Sequence, residues 1–394
     1  MGLEDTGRTH AATTASPLGV ALIGQRFMGR AHSNGWGQAN RFFDLQRPIR
    51  MRTICARNAE ELAPFAKRFG WESWTTDWRT IADDAEIDLV DVGTPNDVHA
   101  EQSIAMLQAG KHVACEKPLA ATLDEARRMA EAACDADGRT FVWFNYRRIP
   151  AVVLAHQWIR EGRLGRLLHV RARYLQSWGG ADTPRVWRFE KSRAGSGAHG
   201  DLNAHIIDMA RFLTGLSFEA IDGAIARTFY PERPMPDGKG VGTSDVDDAL
   251  SFLASMEGGV AASFEATRCA PGHLNDHGIE INGELGSLRF DFNEMNYLSV
   301  HEAGLGDGTG GWKRIAATSA GDHAYAAEWW PDGHWIGYEH GFVNMAADIV
   351  RVLAGEEPTV PIPDFADAYE TQRVLEASMR AATEHRRILL DDVR

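Results

Sequence analysis

The chain has 394 residues, 44% hydrophobic and 24% charged, a balance that excludes wholesale disorder and fibrous repeats and, at about 100–200 residues per domain, implies two or three domains. Lys and Arg total 41 against 55 Asp and Glu, a formal net charge of −14, so the overall field repels nucleic-acid backbones and anionic membranes, and neither is expected as a partner. The four cysteines, Cys55, Cys115, Cys134 and Cys269, form no CxxC pair; with no run near the roughly 18 apolar residues of a membrane span, a reducing cytoplasm is the expected compartment.

Residues 1–17 are small and polar, lack the apolar run of a secretory signal, and read as a disordered tail. From Leu18, LGVALIG is a short apolar strand ending at Gly24, and FMGRAHSNGW starts a helix. The alternation continues through the strand MRTICA (51–56), the helix AEELAPFAKRFG with its terminal Gly70, IDLVDVGTP (87–95), the helix HAEQSIAMLQAG ending at Gly110, and KHVACEKP (111–118). A helix over 123–138 and a strand TFVWFNY (140–146) bring this unit to residue 150. Strands alternating with helices that stop at glycine predict an α/β fold with a doubly wound parallel sheet.

After the helix AVVLAHQWIREGRLG the pattern changes to LLHVRARYLQ, FEAIDGAIARTFY, DDALSFLASM, GVAASFEATR and IEINGELGSLRFDF. Consecutive strands of this kind predict a mainly antiparallel sheet. In GVAASFEATR, Val260, Ala262, Phe264 and Ala266 alternate with Ser263, Glu265 and Thr267, so one face is buried and the other meets solvent or a second subunit. The Pro- and Gly-rich stretches 231–245 and 302–313 are expected as loops.

Four motifs carry chemistry. Gly24-Gln25-Arg26-Phe27-Met28-Gly29 has the first and third glycines of G-x-G-x-x-G, with Arg26 at the second, between a strand and a helix where a pyrophosphate binds; a plain strand-to-helix turn is the alternative. The second strand ends in Cys55-Ala56-Arg57-Asn58, without the acid that takes a ribose 2′-hydroxyl. Arg57 can accept a 2′-phosphate, stack on adenine or stay solvated, so NADP is open beside NAD. Glu116-Lys117-Pro118 lies at the carboxyl end of a buried strand, where ligands bind; a partly desolvated Lys117 beside a cationic nicotinamide can hydrogen-bond or deprotonate a substrate hydroxyl, and a solvated surface lysine is the plainer reading. In Gly200-Asp201-Leu202-Asn203-Ala204-His205-Ile206-Ile207-Asp208, a helix running to Leu213 buries Leu202, Ile206, Met209 and Leu213, which puts Asp201, His205 and Asp208 on an adjacent stripe. Asp201, one turn before His205, is expected to fix its tautomer and favour the imidazolium. A structural acid–histidine pair and a metal site of His199, Asp201 and His205 are the alternatives, and no metal is expected.

Together, Gly24 to Gly29, Thr94-Pro95-Asn96 with His99, Glu116-Lys117-Pro118, Asn145-Tyr146-Arg147, and Gly200-Asp201 with His205 and Asp208 resemble, in order and spacing, the glucose-fructose oxidoreductase/inositol dehydrogenase (Gfo/Idh/MocA) family over about residues 18 to 390. The resemblance implies a Rossmann dinucleotide-binding domain (18–150) and a C-terminal α/β substrate and oligomerisation domain (151–394) whose open-faced sheet builds homodimers or homotetramers. It implies Lys117, Asp201 and His205 as the catalytic set, with His205 as proton acceptor. A cofactor lining is implied from Gly24, Arg26, Phe27, Met28, Gly29, Arg57, Thr94, Pro95, Asn96, His99, Glu116, Lys117 and Asn145. AHSNGW, FNYRRIPAV, YLQSW, VWRFEKSRAGSGAHGD and WWPDGHWIGYEH look most like the members that oxidise a sugar or glycoside at C3.

On the substrate side, Trp178, Trp187, Trp329, Trp330 and Trp335, with Tyr338 and His340 close behind, suit a polyhydroxylated ring that is apolar on one face and hydrogen-bonding at its rim; core packing is the alternative for each. Substrate contacts are expected from Lys117, Tyr146, Arg147, Trp178, Trp187, Arg188, Asp201, His205, Tyr338 and His340. Arg147, Arg148, Arg188, Lys191 and Arg193 add basic character that fits an anionic substrate group such as a carboxylate or sulfonate, or a solvated or phosphate-facing role. The expected activity is NAD(P)-dependent oxidation of a secondary hydroxyl of a sugar or glycoside, at C3, to a ketone. One alternative is an NAD-dependent glycoside hydrolase working by transient C3 oxidation, elimination, water addition and re-reduction, with Tyr146 or His340 as the extra base near C2. A noncatalytic cofactor- or sugar-sensing regulator is the third reading.

Overall fold

The computed structural model describes residues 16–304 and 310–394. The tail expected over 1–17 lies, up to residue 15, outside the described residues, as do residues 305–309 of the loop expected over 302–313. Strand β1 (Leu18–Ile23) is buried along its length, as an uninterrupted apolar run between two parallel neighbours requires. It is joined by β2 (Ile49–Cys55), β3 (Ser73–Thr75), β4 (Leu89–Val92), β5 (His112–Cys115) and β6 (Thr140–Val142) in the order β3-β2-β1-β4-β5-β6, with every pairing parallel. Helices α1 (Phe27–Phe42), α2 (Ala59–Phe69), α3 (His99–Gln108) and α4 (Leu123–Asp135) connect them. Asn58 caps α2, and Thr122 with Glu125 forms a capping box on α4. The strand order reverses between β1 and β4, which opens a crevice at their carboxyl ends.

The strand expected to reach Tyr146 stops at Val142, and Asn145–Arg148 form a 3-10 turn. That turn is held by buried partners. The indole of Trp143 donates to Asp91, and the guanidinium of Arg147 is clamped by Asp208 and Asp367.

The second sheet follows α5 (Pro150–Arg160), with β7 (Leu167–Leu175), a short helix α6 (Lys191–Ala194), α7 (Ala204–Thr214) and β8 (Phe218–Arg227). The stretch 231–245 is not wholly a loop, because β9 (Glu232–Pro234) and β10 (Val241–Thr243) pair in it as a small ribbon. Strands β11 (Ala249–Met256), β12 (Val260–Thr267), β13 (Asp276–Gly283), β14 (Gly286–Asp291), β15 (Tyr297–Glu302) and β16 (Lys313–Ala316) then precede α8 (His340–Leu353), α9 (Phe365–Glu384) and β17 (Ile388–Leu389). The sheet order is β16-β15-β14-β13-β7-β12-β11-β8-β17, antiparallel except where β7 and β12 run parallel. The alternation in β12 buries Val260, Ala262, Phe264 and Ala266 and exposes Glu265; Thr267 is also buried and donates its hydroxyl to the Asp248 carbonyl. Residues from 340 onward return to the first sheet: α8 packs on α1, α9 on α4, and the Val142 N–H donates to the Pro363 carbonyl.

Arg147 is a test of how this junction is held. Replacing it with Met leaves buried Asp208 without its paired cation, beside an Asp367 that keeps only Arg211, so Arg147→Met is expected to lose about 3–5 kcal/mol of unfolding free energy, measured by urea denaturation. Wild-type stability in that variant would contradict the structural role.

Candidate active site

The carboxyl ends of β1, β4 and β5 meet the start of α7 and the carboxyl ends of the parallel pair β7 and β12 around a cavity of about 630 Å³. A second cavity of about 730 Å³ adjoins it over β1 and β2, and Phe27, Met28, Thr94, Trp187 and Arg188 line both. At the second cavity the chain leaves β1 through Gly24 at φ 124°; a Cβ there would stand 2.4 Å from the Gly93 carbonyl oxygen. Gly29 meets the same limit, its Cβ falling 2.2 Å from the Gly24 oxygen. Gly24 is therefore required by the close approach of the β1 and β4 ends, and Gly29 by the close approach of α1 to the turn.

Gly24, Arg26, Phe27, Met28, Arg57, Thr94 and Pro95 line the second cavity, with Gly29 just beneath the turn. Arg26 is exposed and paired with Glu61 at 2.9 Å. Phe27, Met28, Thr94, Asn96, Glu116, Lys117 and Asn145 line the first. His99 sits behind the wall, its ring bridging the carbonyls of Thr94 (2.9 Å) and Pro118 (3.2 Å), so it ties the two strand-end loops together.

Glu116 is positioned by a buried network. One of its oxygens meets His32 Nε2 at 3.0 Å and the other accepts the Lys117 N–H. His32 Nδ1 lies 2.9 Å from Asp91, which also accepts the indole N–H groups of Trp36 and Trp143. Burial opposes a charge on His32, but Asp91 and Glu116 together outweigh it and raise its pKa to about 9. The imidazolium therefore holds the Glu116 carboxylate against the cavity.

Asp201 stands in a wide π-type turn (His199–Asn203) that precedes α7. The turn is shaped by buried Asp247, whose carboxylate accepts the N–H groups of Gly197 and His199 at 2.7 Å each. The Asp201 carboxylate turns away from His205. It accepts from Lys117 Nζ at 2.9 Å and from Arg268 at 3.0 Å, while Lys117 also donates to the Asp201 carbonyl at 2.8 Å. Burial opposes its ionisation, and Lys117, Arg268 and Arg188 overcome this, holding the carboxyl well below the usual range.

The expected Asp201–His205 pairing is thus replaced by a Lys117–Asp201–Arg268 cluster, and the sign of the effect on His205 reverses. Burial, then the charge of Lys117, push the imidazole well below 6.5, with Asp201 opposing only weakly. His205 is neutral, lines the first cavity and has no hydrogen bond among the described residues. His199, the third residue of the metal alternative, points instead at the Leu375 carbonyl on α9 (2.8 Å).

Tyr146, Trp178, Trp187, Arg188 and Tyr338 also line the first cavity. Other expected substrate contacts lie elsewhere. Arg147 and Arg148 are buried on Asp208 and Asp348, Arg193 pairs with Asp97, and the backbone N–H of Lys191 donates to Asp245. His340 packs edge-on against Trp329, which is buried against Phe42 and Phe43, while Trp330 meets Phe42 and Trp335 covers Tyr297. In exchange the structure brings in Tyr174, Gln176, Arg268, Asn275 and Phe292. Trp178 donates to Gln176, and Gln176 and Tyr174 both donate to Asn275. No single segment signals these residues; they meet where the carboxyl ends of the parallel pair β7/β12 open onto the same crevice.

The residues present fit a dinucleotide. The glycine turn leaves no room for a side chain, Arg26 and Arg57 supply cations near it, and Asn145 Nδ2 is buried in the first cavity without a partner among the described residues. A parallel sheet with this turn, next to a lysine and a neutral histidine, defines a nicotinamide-dependent oxidoreductase.

The chain belongs to the Gfo/Idh/MocA family: residues 18–144 match the model of the oxidoreductase family, NAD-binding Rossmann fold, and residues 152–289 match the GFO/IDH/MocA C-terminal domain. It is 40% identical to levoglucosan dehydrogenase of Pseudarthrobacter phenanthrenivorans over 93% of this chain and 96% of the relative. Among solved structures it is similar to an oxidoreductase domain protein from Kribbella flavida, with 45% identity and a TM-score of 0.91 over 95% of this chain and 100% of that one. Levoglucosan dehydrogenase in complex with NADH and L-sorbose is 39% identical, with a TM-score of 0.90 over 95% and 99%.

The depressed basicity of His205 can be read by NMR of the histidine rings. Its midpoint is expected below 6.5 and is expected to move upward in Lys117→Met, which removes the charge that most lowers it; an unchanged midpoint would contradict this account.

Proposed function

We propose that the protein oxidises a secondary hydroxyl of a sugar or glycoside, at C3, to the ketone, with NAD as coenzyme and Lys117, Asp201 and His205 as the working set. The observation that carries this reading is the division of labour at Lys117. Two of its three N–H groups are held by Asp201, which leaves one to donate to a substrate hydroxyl. The same hydroxyl loses its proton to neutral His205, whose low basicity favours passing that proton on to solvent. Bound coenzyme supplies the hydride acceptor. Asn145 and Glu116 would hold its nicotinamide end and Gly24 with Arg26 its phosphates. The family's NAD-binding domain and the NADH-bound relative support NAD as the coenzyme.

The glycoside-hydrolase cycle needs another base beside C2. Burial pushes Tyr146 up to about 12, against its hydrogen bonds to Tyr174 and Asn275, and His340 is turned onto Trp329. Both observations support net oxidation.

Incubation with NAD or NADP and a panel of levoglucosan, glucose, inositols and aryl glycosides, following reduced coenzyme and free aglycone together, is expected to give reduced NAD in step with a keto sugar. Aglycone release without net reduced coenzyme would replace this reading with the hydrolase. His205→Ala is expected to lower kcat/KM by about 10²–10⁴-fold.

A further inference from the structure

Three cations surround one carboxylate at the sugar end of the first cavity. Asp201 is met by Lys117 and Arg268, with Arg188 Nε at 3.9 Å. The other carboxylate in the cavity wall, Glu116, shares the single His32 imidazolium with Asp91, so that network keeps one negative charge in excess. With that network counted, the cavity wall still carries one positive charge in excess, and it lies on the arginine side, in a chain whose net charge is −14. Cations withdrawn from water are stable when paired, and a cation left without a close carboxylate in a cavity wall marks a place for an anion.

The two arginines are built differently. The Arg268 side chain is 1% exposed. It is bedded against Trp178 and Phe189, fixed by the Arg188 carbonyl and Asp201, and its Nε has no partner among the described residues. Arg188 lies over the Trp187 ring at 4.5 Å, is one-third exposed, and opens into the cavity. Lys117 and Arg268 grip opposite oxygens of one carboxylate, so the arginine pair stands within the span of a single pyranose ring from the lysine that meets the reacting hydroxyl.

We propose that Arg188 and Arg268 bind an anionic group, a carboxylate or sulfonate, carried on the sugar, so that the substrate is an acidic monosaccharide or glycoside. The inference rests on the sugar-oxidation reading above. Lys117 takes the hydroxyl and the arginines take the anion, and these two points fix which ring carbon faces the nicotinamide. Arg188 also lines the coenzyme cavity, so the coenzyme phosphates are the other source of the same chemistry.

The holoenzyme separates these. With saturating NAD, kcat/KM is compared for methyl glucoside, methyl glucuronide and the matching 6-sulfonate, alongside Kd values for glucose and glucuronate from tryptophan quenching of the protein–NADH complex. At least one anionic substrate is expected to exceed the neutral one by about tenfold, or 1.4 kcal/mol. That ratio is expected to fall to within about threefold in Arg188→Gln and to be partly kept in Arg188→Lys, as loss of one charge-assisted hydrogen bond requires. Equal use of neutral and anionic sugars by the wild type would overturn the inference, as would an Arg188→Gln variant that loses NAD affinity while keeping the substrate ratio. If no sugar is oxidised but glucuronate still binds more tightly than glucose, and loses that advantage in Arg188→Gln, the anion site stands and the sugar-oxidation reading falls.

Discussion

One ion pair joins the two halves of the site. Lys117 leaves the end of β5, Asp201 stands 84 residues later on the turn before α7, and their 2.9 Å contact is seated in the crevice between the two sheets. Asp201 stays ionised because cations face it, Lys117 is left with one free donor because Asp201 takes two, and His205 is kept neutral by burial and by the lysine's charge. Remove Asp201 and Lys117 and Arg268 lose their shared carboxylate in a site already withdrawn from water, which is the costly outcome for a buried pair; remove Lys117 and Asp201 keeps Arg268.

The same constraint shapes the Glu116 wall of the first cavity. His32 is an imidazolium because Asp91 and Glu116 flank it, and two indole donors complete the shell around Asp91. Each charge is tolerated through its neighbour. The whole set is carried by α1, β4, β5 and the segment after β6, so the sheet's register places it.

Much of this was legible in the sequence where one short segment dictates one geometry. The buried run of β1, the glycines that let α1 approach Gly24, and the lysine at a strand end are each local. The core stripe of α7 likewise needs only Leu202, Ile206, Met209 and Leu213. What failed were inferences about which side chains meet across distance. Asp201 and His205 are four residues apart, yet the wide turn at His199–Asn203 and the pull of Lys117 and Arg268 separate them. Arg147 and His340 sit beside site residues in the chain but face Asp208 and Trp329. Arg268 and Asn275 reach the cavity only because β12 runs parallel to β7 and β13 pairs along the other edge of β7, a register no single segment encodes.

Direct hydride transfer across the Lys117–Asp201 crevice is the central claim, and an isotopic label tests it. With a turned-over sugar carrying deuterium at C3, the account predicts that the label is recovered on the nicotinamide C4 of the reduced coenzyme, with a slowed rate. Label retained in the sugar, or lost to water while coenzyme is reduced, would contradict it.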